Sequence, residues 1–465
     1  AYEIMPSLVG AEMCIRDRLR NVSMNLNDIK QLACKEIENH GDRLIGVAKD
    51  ILDNPEPGFQ EFKTADRVAK EFESMGIPFE ENIGITGLKA SLNTRKGSGP
   101  NVAVIGELDS LKVLGHPHAD PETSAAHACG HHCQIAMMIG VGVGLQAPGV
   151  LDSLSGRVTL MAVPAEEYIE VEYRDDLRRE GKIEFLGGKP EFVRHGHFDD
   201  VDIAMMTHTS AAPDQGKISF GGTNNGLVAK TIKFSGTASH AGGAPHLGVN
   251  ALNAAMIAMS AIHAQRETYR DQDTIRIHPI ITRGGVAVSS VPADVRMETY
   301  VRGASIDAFL SASEKVDRAL RAGAMAVGGS VEITTLPGYL PIQSSQPMLE
   351  IYSRNAATLV GSDGLNRLGH RTGSTDMGDI SQMIPVIHPY VEAATGNGHG
   401  IDYMVKDYTL GVLTGAKAMA MTVIDLLHEN AATGQMVVDK YKAPLTKTDY
   451  LSLLRGMMKE ESYTE

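Results

Sequence analysis

The sequence predicts an α/β fold: a catalytic domain with a central mixed sheet covered by helices, carrying an inserted ferredoxin-like α+β domain. Short apolar runs rich in β-branched residues alternate with long segments of helical pattern, which is typical of a sheet covered on both faces. Between residues 227 and 337 the order becomes strand, helix, strand, strand, helix, strand, as in ferredoxin-like domains. Helical and strand patterns resume afterwards, so we expect this stretch to interrupt the larger domain.

The first part of the catalytic domain is assigned to residues 25–226. Apolar residues from Ile29 to Ile51 recur at helical spacing and predict one helix, which ends at the proline-rich and glycine-containing breaker 54–58. The further elements predicted here are an amphipathic helix at 64–75, strands at 101–108, 158–163 and 201–206, and an apolar helix that starts near residue 135.

The inserted domain is assigned to residues 227–337 and the second part of the catalytic domain to residues 338–465. Predicted strands in the insert are 229–234, 274–282, 295–301 and 330–335, with helices at 250–268 and 305–327. After the insert we predict a helix at 347–360, a strand at 386–391 and a long helix at 408–428. Residues 1–24 form an N-terminal extension whose first eighteen residues do not match the pattern that follows. We expect those eighteen to be non-native and dispensable for folding and activity.

Composition limits the possible partners and locations. The chain has 465 residues, a hydrophobic fraction of 43% and a net charge of −14, so it can bury a large core but offers no basic surface for nucleic acid or anionic lipid. Its longest clearly apolar stretch, 136–145, is shorter than the roughly 20 residues that span a membrane. With four cysteines and no secretory signal pattern, a cytoplasmic location is expected.

The densest group of potential metal ligands is the segment 127–133, which reads His-Ala-Cys-Gly-His-His-Cys. Cysteine and histidine bind soft metal ions, and Cys129 and His131 can face one ion across a tight turn at Gly130. The alternatives are a buried turn of small residues and a redox pair formed by Cys129 and Cys133. Three histidines beside two cysteines make the metal interpretation the preferred one.

Further candidates follow two of the predicted strands. Glu166 and Glu167 come directly after the run 158–163, and His208 comes after the run 201–206. The carboxyl ends of strands are where ligands gather in α/β sheets, and two adjacent carboxylates can serve as metal ligand and general base. Alone, each would be read as an ordinary loop or core residue, but this fold predicts that they come together.

Two more histidines lie in segments of glycine and small residues. His240 follows the first strand of the inserted domain, and His399 precedes the last long helix. Such segments allow close approach to a ligand, although they also form ordinary turns. Asp376, in the turn-rich motif 373–379, is a candidate for orienting a ligand histidine. His388 is held in reserve as a ligand.

These motifs, in this order, resemble the co-catalytic zinc metallopeptidase family of aminoacylases and carboxypeptidase-G-type enzymes. The Cys-Gly-His form at 129–131 is similar to the amidohydrolase subfamily that includes aminobenzoyl-glutamate hydrolase, auxin-conjugate hydrolases and the β-alanyl-lysine-type dipeptidase. The resemblance covers residue 25 to the end. It implies a zinc-exopeptidase type of catalytic domain and an insert that serves as a lid and dimerisation domain.

The resemblance also implies roles for single residues. It assigns a bridging metal ligand to Cys129, further ligands to His131, Glu167, His208 and His399, with His388 as the runner-up for the last, and the general base to Glu166. His240 matches a lid histidine that reaches the active site of the partner subunit. The implied cofactors are two divalent metal ions per subunit, zinc first with manganese or cobalt as alternatives, and the implied assembly is a homodimer or higher homo-oligomer through the lid.

The implied chemistry is hydrolysis of an amide bond. Two cations a few ångströms apart can hold a bridging water and lower its pKa, while Glu166 removes its proton and passes it to the leaving amine. His240 would stabilise the oxyanion, a contribution of about 3 kcal/mol for comparable donors. Such a residue in the partner subunit would make an oligomer necessary for activity.

The sequence departs from the family pattern in three places. His132 stands where relatives carry Asp or Asn, and a long charged segment, 170–194, suggests an insertion beside the substrate pocket. Near the end of the lid, where exopeptidases carry an arginine that holds a free carboxylate, residues 338–341 read Gly-Tyr-Leu-Pro. Asn250 or Arg302 is the candidate to bind substrate instead.

The leading hypothesis is therefore a dinuclear metal-dependent amidohydrolase that cleaves an N-acyl amino acid or dipeptide. One alternative uses the same site on another C–N bond, that of a carbamoyl group or an aromatic amine. A second is a non-catalytic metal-binding protein, against which Glu166 argues because a base that binds no metal has no purpose without chemistry. A redox role for Cys129 and Cys133 comes last, since it predicts that a chelator is harmless.

Overall fold

The computed structural model describes residues 25–94, 97–212 and 216–465, so the predicted extension 1–24 lies outside the described residues. Twelve α-helices occur in these ranges. They are α1 Leu26–Asn39, α2 Gly41–Leu52, α3 Phe62–Ser74, α4 His131–Leu145, α5 Val171–Arg179, α6 Gly188–Arg194, α7 Ala251–Ala264, α8 Ile306–Met325, α9 Gln346–Val360, α10 Met377–Ile380, α11 Gly415–Lys440 and α12 Lys447–Met457.

The strands of the described residues fall into larger sheets and short pairs. Those that precede the insert are β1 Phe79–Ile83, β2 Gly87–Asn93, β3 Asn101–Glu107, β4 Leu111–Lys112, β5 Ala125–Ala126, β6 Arg157–Val163, β7 Ile203–Met205, β8 His208–Thr209, β9 Ile218–Phe220 and β10 Thr223–Asn224. The others are β11 Gly226–Ser235, β12 Arg276–Ile277, β13 Ile280–Arg283, β14 Asp294–Gly303, β15 Ser330–Pro337, β16 Leu365–Arg367, β17 His370–Arg371, β18 Val386–Ile387, β19 Tyr390–Val391, β20 Ala394–Thr395, β21 Met404–Val405 and β22 Lys459–Thr464.

The predicted central mixed sheet of the catalytic domain is confirmed. Its order is β1-β2-β6-β3-β7-β18, and strands β6, β3, β7 and β18 run parallel while β1 and β2 are antiparallel. The central strand β3 is buried along its whole length, as expected for a sheet covered on both faces. The sequence did not predict β1 and β2. The β1 strand is polar and largely exposed, so it lacks an apolar signal.

Helix α4 forms the centre of one covering layer. All fifteen of its residues are buried, and α1, α2 and α11 pack around it. Glycine at 140 allows close approach, because a Cβ there would lie 2.9 Å from the Cβ of Ala416 in α11. The single helix predicted up to the breaker 54–58 is wrong in one respect. The chain breaks at His40 (φ −99°, ψ 11°) into α1 and α2, and Leu413 packs against the break at Gly41.

The last long helix is the one segment of the described chain that is long and apolar enough to cross a membrane. A π-helical turn, Thr409–Thr414, leads into α11, and 83% of the most apolar window of Thr409–Lys440 is buried inside the protein. Non-helical angles from His428 to Ala431 interrupt the helix. Burial against other elements explains the apolar composition as that of a core helix.

The insert has the predicted ferredoxin-like strand order. Its sheet runs β12-β14-β11-β15, with β13 also paired to β14, and all pairs are antiparallel. Helices α7 and α8 pack against each other and on this sheet. The predicted strand 274–282 is split into β12 and β13, because Pro279 between them has no N–H to donate. We use the term lid for residues 226–337.

Two features differ from the predicted division of the chain. The C-terminal strand β22 pairs with β15 from Ser330↔Thr464 to Thr335↔Lys459 and so extends the lid sheet, although residues 338–465 were assigned to the catalytic domain. The predicted strand 386–391 becomes two strands in different sheets. Here β18 joins the central sheet and β19 joins the small sheet β16-β9-β19-β8, with Pro389 between them.

Candidate metal centre

The Cys-Gly-His segment forms a turn that opens helix α4. Gly130 has φ +89°, and a Cβ at this position would lie 1.9 Å from Thr209 Oγ1. No other residue fits such a close approach in a left-handed conformation. The hydroxyl of Tyr403 donates to the carbonyl oxygen of Cys129 at 3.2 Å, so the turn is also held from outside. The glycine thus allows Cys129 and His131 to lie on either side of one turn.

One group of three donor atoms combines the turn with strand β8. The ligand atoms of Cys129, His131 and His208 all lie within 4.8 Å of one another, and Cys129 Sγ is 3.3 Å from His208 Nε2. Burial, followed by the positive charge of His131, lowers the pKa of His208 to about 4. The imidazole of His208 is therefore neutral at pH 7, which is the form that binds metal ions.

A second group shares the same cysteine. The ligand atoms of Cys129, Glu167 and His399 also lie within 4.8 Å of one another, and His399 Nε2 is 3.5 Å from Glu167 Oε1. The backbone N–H of His399 donates to the carbonyl oxygen of Ala128 at 2.9 Å, which holds this histidine beside the Cys129 turn. Because Cys129 belongs to both groups, the geometry offers two adjacent sites with one common thiol.

The runner-up ligand, His388, is placed differently. Its ring centroid lies 5.9 Å from that of His208, and both of its nitrogens are buried without a hydrogen-bond partner. Within the described ranges, however, it joins no group of three donor atoms that could hold an ion. This placement favours His399, the preferred candidate, as the last ligand.

The donor set fits divalent metal ions. His131 Nε2 and Glu167 Oε1 are buried and have no hydrogen-bond partner in the described part of the chain, which is costly unless another group satisfies them. One thiol, imidazole nitrogens and a carboxylate are the ligands that zinc prefers, and manganese or cobalt can use the same types.

Asp109 positions two of these donors at once. Its backbone carbonyl oxygen lies 2.9 Å from His131 Nδ1, and its carboxylate accepts the backbone N–H of Glu167 at 2.8 Å. Since a carbonyl oxygen can only accept, Nδ1 of His131 carries a proton, so Nε2 is the nitrogen that would bind a metal ion.

A buried triad of charges lies behind the donors. Lys189 Nζ contacts Glu107 Oε1 at 2.6 Å and also the carboxylate of Asp376, and all three side chains are buried. Although burial opposes it, the charge of Lys189 lowers the pKa of Glu107 to about 2. The other oxygen of Glu107 lies 3.2 Å from His131 Nε2. Asp376 therefore does not bond a ligand histidine, as considered from the sequence, but neutralises Lys189.

Glu166 belongs to neither group that contains Cys129, but its carboxylate forms a third group of donor atoms with Glu107 and His131, all within 4.8 Å of one another. Its Oε2 is 3.9 Å from His131 Nε2. Burial, followed by the charges of Glu107 and Glu167, raises the pKa of Glu166 well above its usual value. A carboxyl group with raised proton affinity next to two metal positions is suited to accept and return a proton.

The lid candidates lie apart from this cluster in the single chain. His240 is exposed, and its Nδ1 accepts the backbone N–H groups of Gly242 and Gly243 at 3.1 and 2.8 Å. Asn250 caps helix α7, since its side-chain oxygen accepts the backbone N–H groups of Leu252 and Asn253.

Arg302 reaches the catalytic domain. Its Nη1 donates to Ser374 Oγ at 3.3 Å, and its guanidinium lies 5.3 Å from the ring centre of Tyr300. No ion pair neutralises Arg302 within the described ranges, so the guanidinium is available to a carboxylate. Its assignment to substrate binding stays a prediction.

Glu107, Asp109 and Lys189 were not predicted from the sequence. Glu107 is the last residue of strand β3 and Asp109 follows two residues later, so the rule that led to Glu166 and His208 applied to them as well. Lys189 had no such signal, because it lies in the charged segment 170–194, which resembles a solvated surface in sequence. The structure folds that segment into α5 and α6 and buries Lys189 completely.

The redox alternative for the cysteines is weakened by their environment. Cys34, Cys129 and Cys133 are free, and Cys133 is buried inside helix α4. Burial raises the pKa of both Cys129 and Cys133, so neither thiol ionises readily in the metal-free chain.

Comparison with known proteins identifies relatives of the chain. Residues 223–326 match the family described as peptidase dimerisation domain. The chain is 27% identical to the Xaa-Arg dipeptidase of Mus musculus over 431 residues, which covers 87% of this chain and 90% of that protein. It is 25% identical to one of the component chains of the p-aminobenzoyl-glutamate hydrolase of Escherichia coli, covering 91% of this chain and 98% of that protein.

Solved structures share the fold. A putative aminohydrolase from methicillin-resistant Staphylococcus aureus has a TM-score of 0.66 at 20% identity and covers 86% of this chain and 100% of its own. The Bacillus subtilis YXEP protein, described as a dinuclear metal binding peptidase from the M20 family, has a TM-score of 0.61 at 21% identity and covers 84% of this chain and 99% of its own. The chain therefore carries a peptidase dimerisation domain, and over most of its length it is similar to enzymes that hydrolyse amide bonds.

Proposed function

We propose that this enzyme hydrolyses the amide bond of an N-acyl amino acid or a dipeptide at a centre of two divalent metal ions. The observation that carries the proposal is the sharing of Cys129 by two groups of donor atoms, with Glu166 next to both and outside both.

The residues that would hold the metal ions are Cys129, His131, His208, Glu167 and His399, and the thiol of Cys129 belongs to both groups of donors. Bound divalent cations polarise a carbonyl group and make water a stronger nucleophile near neutral pH. Zinc is our first choice because of the thiol and imidazole donors, and manganese or cobalt are the alternatives.

Glu166 accepts the proton of the attacking water at its carboxylate and returns it to the leaving amine nitrogen. A carboxylate at this position can take up a proton in the first step and release it in the second. Lys189 pairs with Glu107 and Asp376 and holds both carboxylates in place. The charged groups around Glu166 therefore keep fixed positions.

His240 stabilises the oxyanion from the partner subunit. Because its Nδ1 accepts two backbone N–H groups, the proton of the neutral ring lies on Nε2, which is then free to donate outwards. In the described chain no hydrogen bond or ion pair joins His240 to the metal donors, which fits a role in another subunit.

The lid offers a surface for that subunit. We define the lid patch as its exposed apolar residues Leu247, Met256, Ile257, Ile280, Ile281, Val286 and Val288. Exposed apolar patches of this kind mark interfaces. The patch adjoins His240, whose backbone pairs with Ser290, so a partner on this surface would lie beside His240.

The first test is product analysis by mass spectrometry. Metal-loaded enzyme is incubated with dipeptides, N-acyl amino acids and aminobenzoyl-glutamate, with a chelated sample and Glu166→Gln as controls. We expect chelator-sensitive cleavage by the wild type and a loss of about 10²- to 10⁴-fold in kcat for Glu166→Gln, which retains its metals. Cleavage of carbamoyl compounds alone would point to another C–N bond. Turnover by a fully chelated enzyme would contradict the proposal.

A further inference from the structure

The turn that carries Glu166 has an unusual backbone. Ala165 adopts φ +55°, a left-handed conformation that non-glycine residues avoid because of their Cβ. This residue connects the end of strand β6 to the two glutamates, so its conformation sets the direction in which Glu166 leaves the strand. Strained residues of this kind persist only where their surroundings hold them.

Glu61 holds the N–H of this residue. Its Oε1 accepts the backbone N–H of Ala165 at 2.8 Å, and its Oε2 accepts the hydroxyl of Thr86 at 2.6 Å. Glu61 is fully buried and stands at the N-cap position of helix α3, yet its side chain makes no capping hydrogen bond there. Its carboxylate is therefore committed to the turn of Ala165 rather than to its own helix.

Arg174 and Tyr339 hold the carbonyl oxygens of the same turn. Arg174 Nη1 donates to the oxygen of Ala165 at 3.2 Å and to that of Leu186 at 2.8 Å. The hydroxyl of Tyr339 bonds the oxygen of Glu166. Arg174 is fully buried, and its guanidinium lies 5.4 Å from the ring centre of Phe59. Together with Asp109 on the N–H of Glu167, side chains from four separate segments bind consecutive backbone groups.

We propose that Glu61 and Arg174 are positioning residues for Glu166, which hold Ala165 in its left-handed conformation and thereby aim the carboxylate of Glu166 at the metal donors. The inference rests on the proposed function, in which Glu166 is the base. Neither residue touches the reacting atoms. Their effect is on orientation, and a displacement of about 1 Å at a reacting group can cost 10²-fold in rate.

The main experiment compares Glu61→Ala with Glu61→Gln. The amide oxygen of Gln can still accept the N–H of Ala165, and the hydroxyl of Thr86 can reverse its role and accept. Burial, followed by the charge of Asp109, raises the pKa of Glu61 to about 7, so a neutral amide is a close substitute. We expect kcat to fall on the order of 10- to 100-fold in Glu61→Ala, with KM within about twofold and both metals retained. Glu61→Gln should keep at least about half of kcat.

Glu71→Ala is the matched control. Glu71 is a buried glutamate on the same helix, but it pairs with Arg43 at 3.3 Å and Arg67 at 2.7 Å, away from the turn. This variant loses a buried carboxylate and should lose stability without losing kcat. If Glu61→Ala and Glu71→Ala have the same kcat, the positioning role is excluded.

A second variant tests the backbone conformation itself. Glycine adopts positive φ without a steric cost, so Ala165→Gly added to Glu61→Ala should recover part of the lost kcat. A double variant as slow as Glu61→Ala would overturn the claim that the left-handed conformation is what Glu61 holds.

Hydrogen exchange gives a readout that does not depend on turnover. The amide of Ala165 should be protected in the wild type, in Glu61→Gln and in Glu71→Ala, and should exchange faster in Glu61→Ala. Failure of the proposed function would appear as absence of cleavage by the wild type. Failure of this inference would appear as unchanged protection and unchanged kcat in Glu61→Ala.

Discussion

At the scale of single residues, the most unusual group is the triad of Glu107, Lys189 and Asp376. An ammonium group and two carboxylates can be buried together only while they pair with one another, because each charge alone is poorly solvated. Glu107 of the triad contacts His131. Loss of a charge from the triad would therefore also change the electrostatic potential at the metal donors.

Replacing Lys189 by Met should therefore destabilise the protein by about 3 to 5 kcal/mol, since two buried carboxylates lose their partner. Urea unfolding of the metal-free protein measures this loss. Lys233→Met is the control, because Lys233 and Glu332 form an exposed pair whose loss should cost less than about 1 kcal/mol. Equal costs for the two variants would contradict the buried-triad argument.

The same variant has an expected pH dependence. Burial raises the pKa of Asp376 to about 6 even with Lys189 present, and removal of the ammonium raises it further. A folded-state pKa above the unfolded value means that the folded protein binds protons more readily, so its stability falls as pH rises through that pKa. The deficit of Lys189→Met relative to the wild type should be smaller at pH 5.5 than at pH 8.

Sequence patterns identify residues of this site when those residues directly follow a predicted strand or form a dense cluster of possible ligands. Cys129, Glu166, Glu167 and His208 were found because they follow apolar runs or form a dense cluster, and the structure brings them together. Glu61 and Lys189 were not predictable in this way. Each lies in a charged or loop-like stretch, and only the packing of distant segments reveals that its side chain is buried.

At the scale of elements, the residue at the N-cap of helix α7 allows a structural role to be distinguished from a role in substrate binding. Asn250 was predicted to bind substrate, and in the structure its side chain caps the helix. Ser305 makes the equivalent bond at the start of α8, where its hydroxyl accepts the N–H of Ala308. The two residues are therefore a matched pair.

Asn250→Ala and Ser305→Ala should each lower the free energy of unfolding by about 1 kcal/mol, because each removes one N-cap. Thermal unfolding measures both, and steady-state kinetics then separates them. If Asn250 also binds substrate, KM rises in Asn250→Ala only. Equal KM values in the two variants would show that Asn250 caps the helix and does not bind substrate.

Element boundaries departed from the sequence predictions where a local feature interrupts an otherwise regular pattern. The strands predicted at 274–282 and 386–391 are each split at a proline, and the first helix is broken at His40. The pairing of β22 with β15 could not be predicted from the sequence, because it joins segments more than a hundred residues apart through a polar, exposed strand. Long-range pairing of this kind is set by tertiary packing.

At the scale of the whole molecule, the lid patch predicts how two chains meet. Seven of the twelve exposed large apolar residues of the described chain belong to it, and Leu247 and Met256 are 66% and 54% exposed. Burial of such residues in a partner is favourable by about 25 cal/mol per Å² of apolar surface. A dimerisation domain with this patch is expected to associate through it.

Replacing Ile281 and Val288 by Lys should convert the dimer to a monomer, because two charges in an apolar interface cannot be paired. Light scattering after size-exclusion chromatography measures the mass. Met325→Lys is the control, since Met325 is also exposed on the lid but lies on helix α8 and not in the segment 281–288 that carries the two replaced residues. A double variant that remains dimeric would place the interface elsewhere.

If His240 acts in the partner's site, two inactive variants should restore each other. Glu166→Gln lacks the base and His240→Ala lacks the oxyanion donor, so each homodimer has two defective sites. A heterodimer of the two has one site with both groups intact and one with neither. Random pairing after co-expression should therefore recover about a quarter of the wild-type kcat per subunit.

The control pairs Glu166→Gln with the double variant Glu166→Gln/His240→Ala, for which no pairing produces a complete site. Native mass spectrometry establishes that heterodimers form in both mixtures. Heterodimers without activity in the first mixture would mean that His240 does not act across the interface. Activity in His240→Ala alone would remove it from the chemistry, whereas recovery only on mixing would make the dimer itself the catalytic unit.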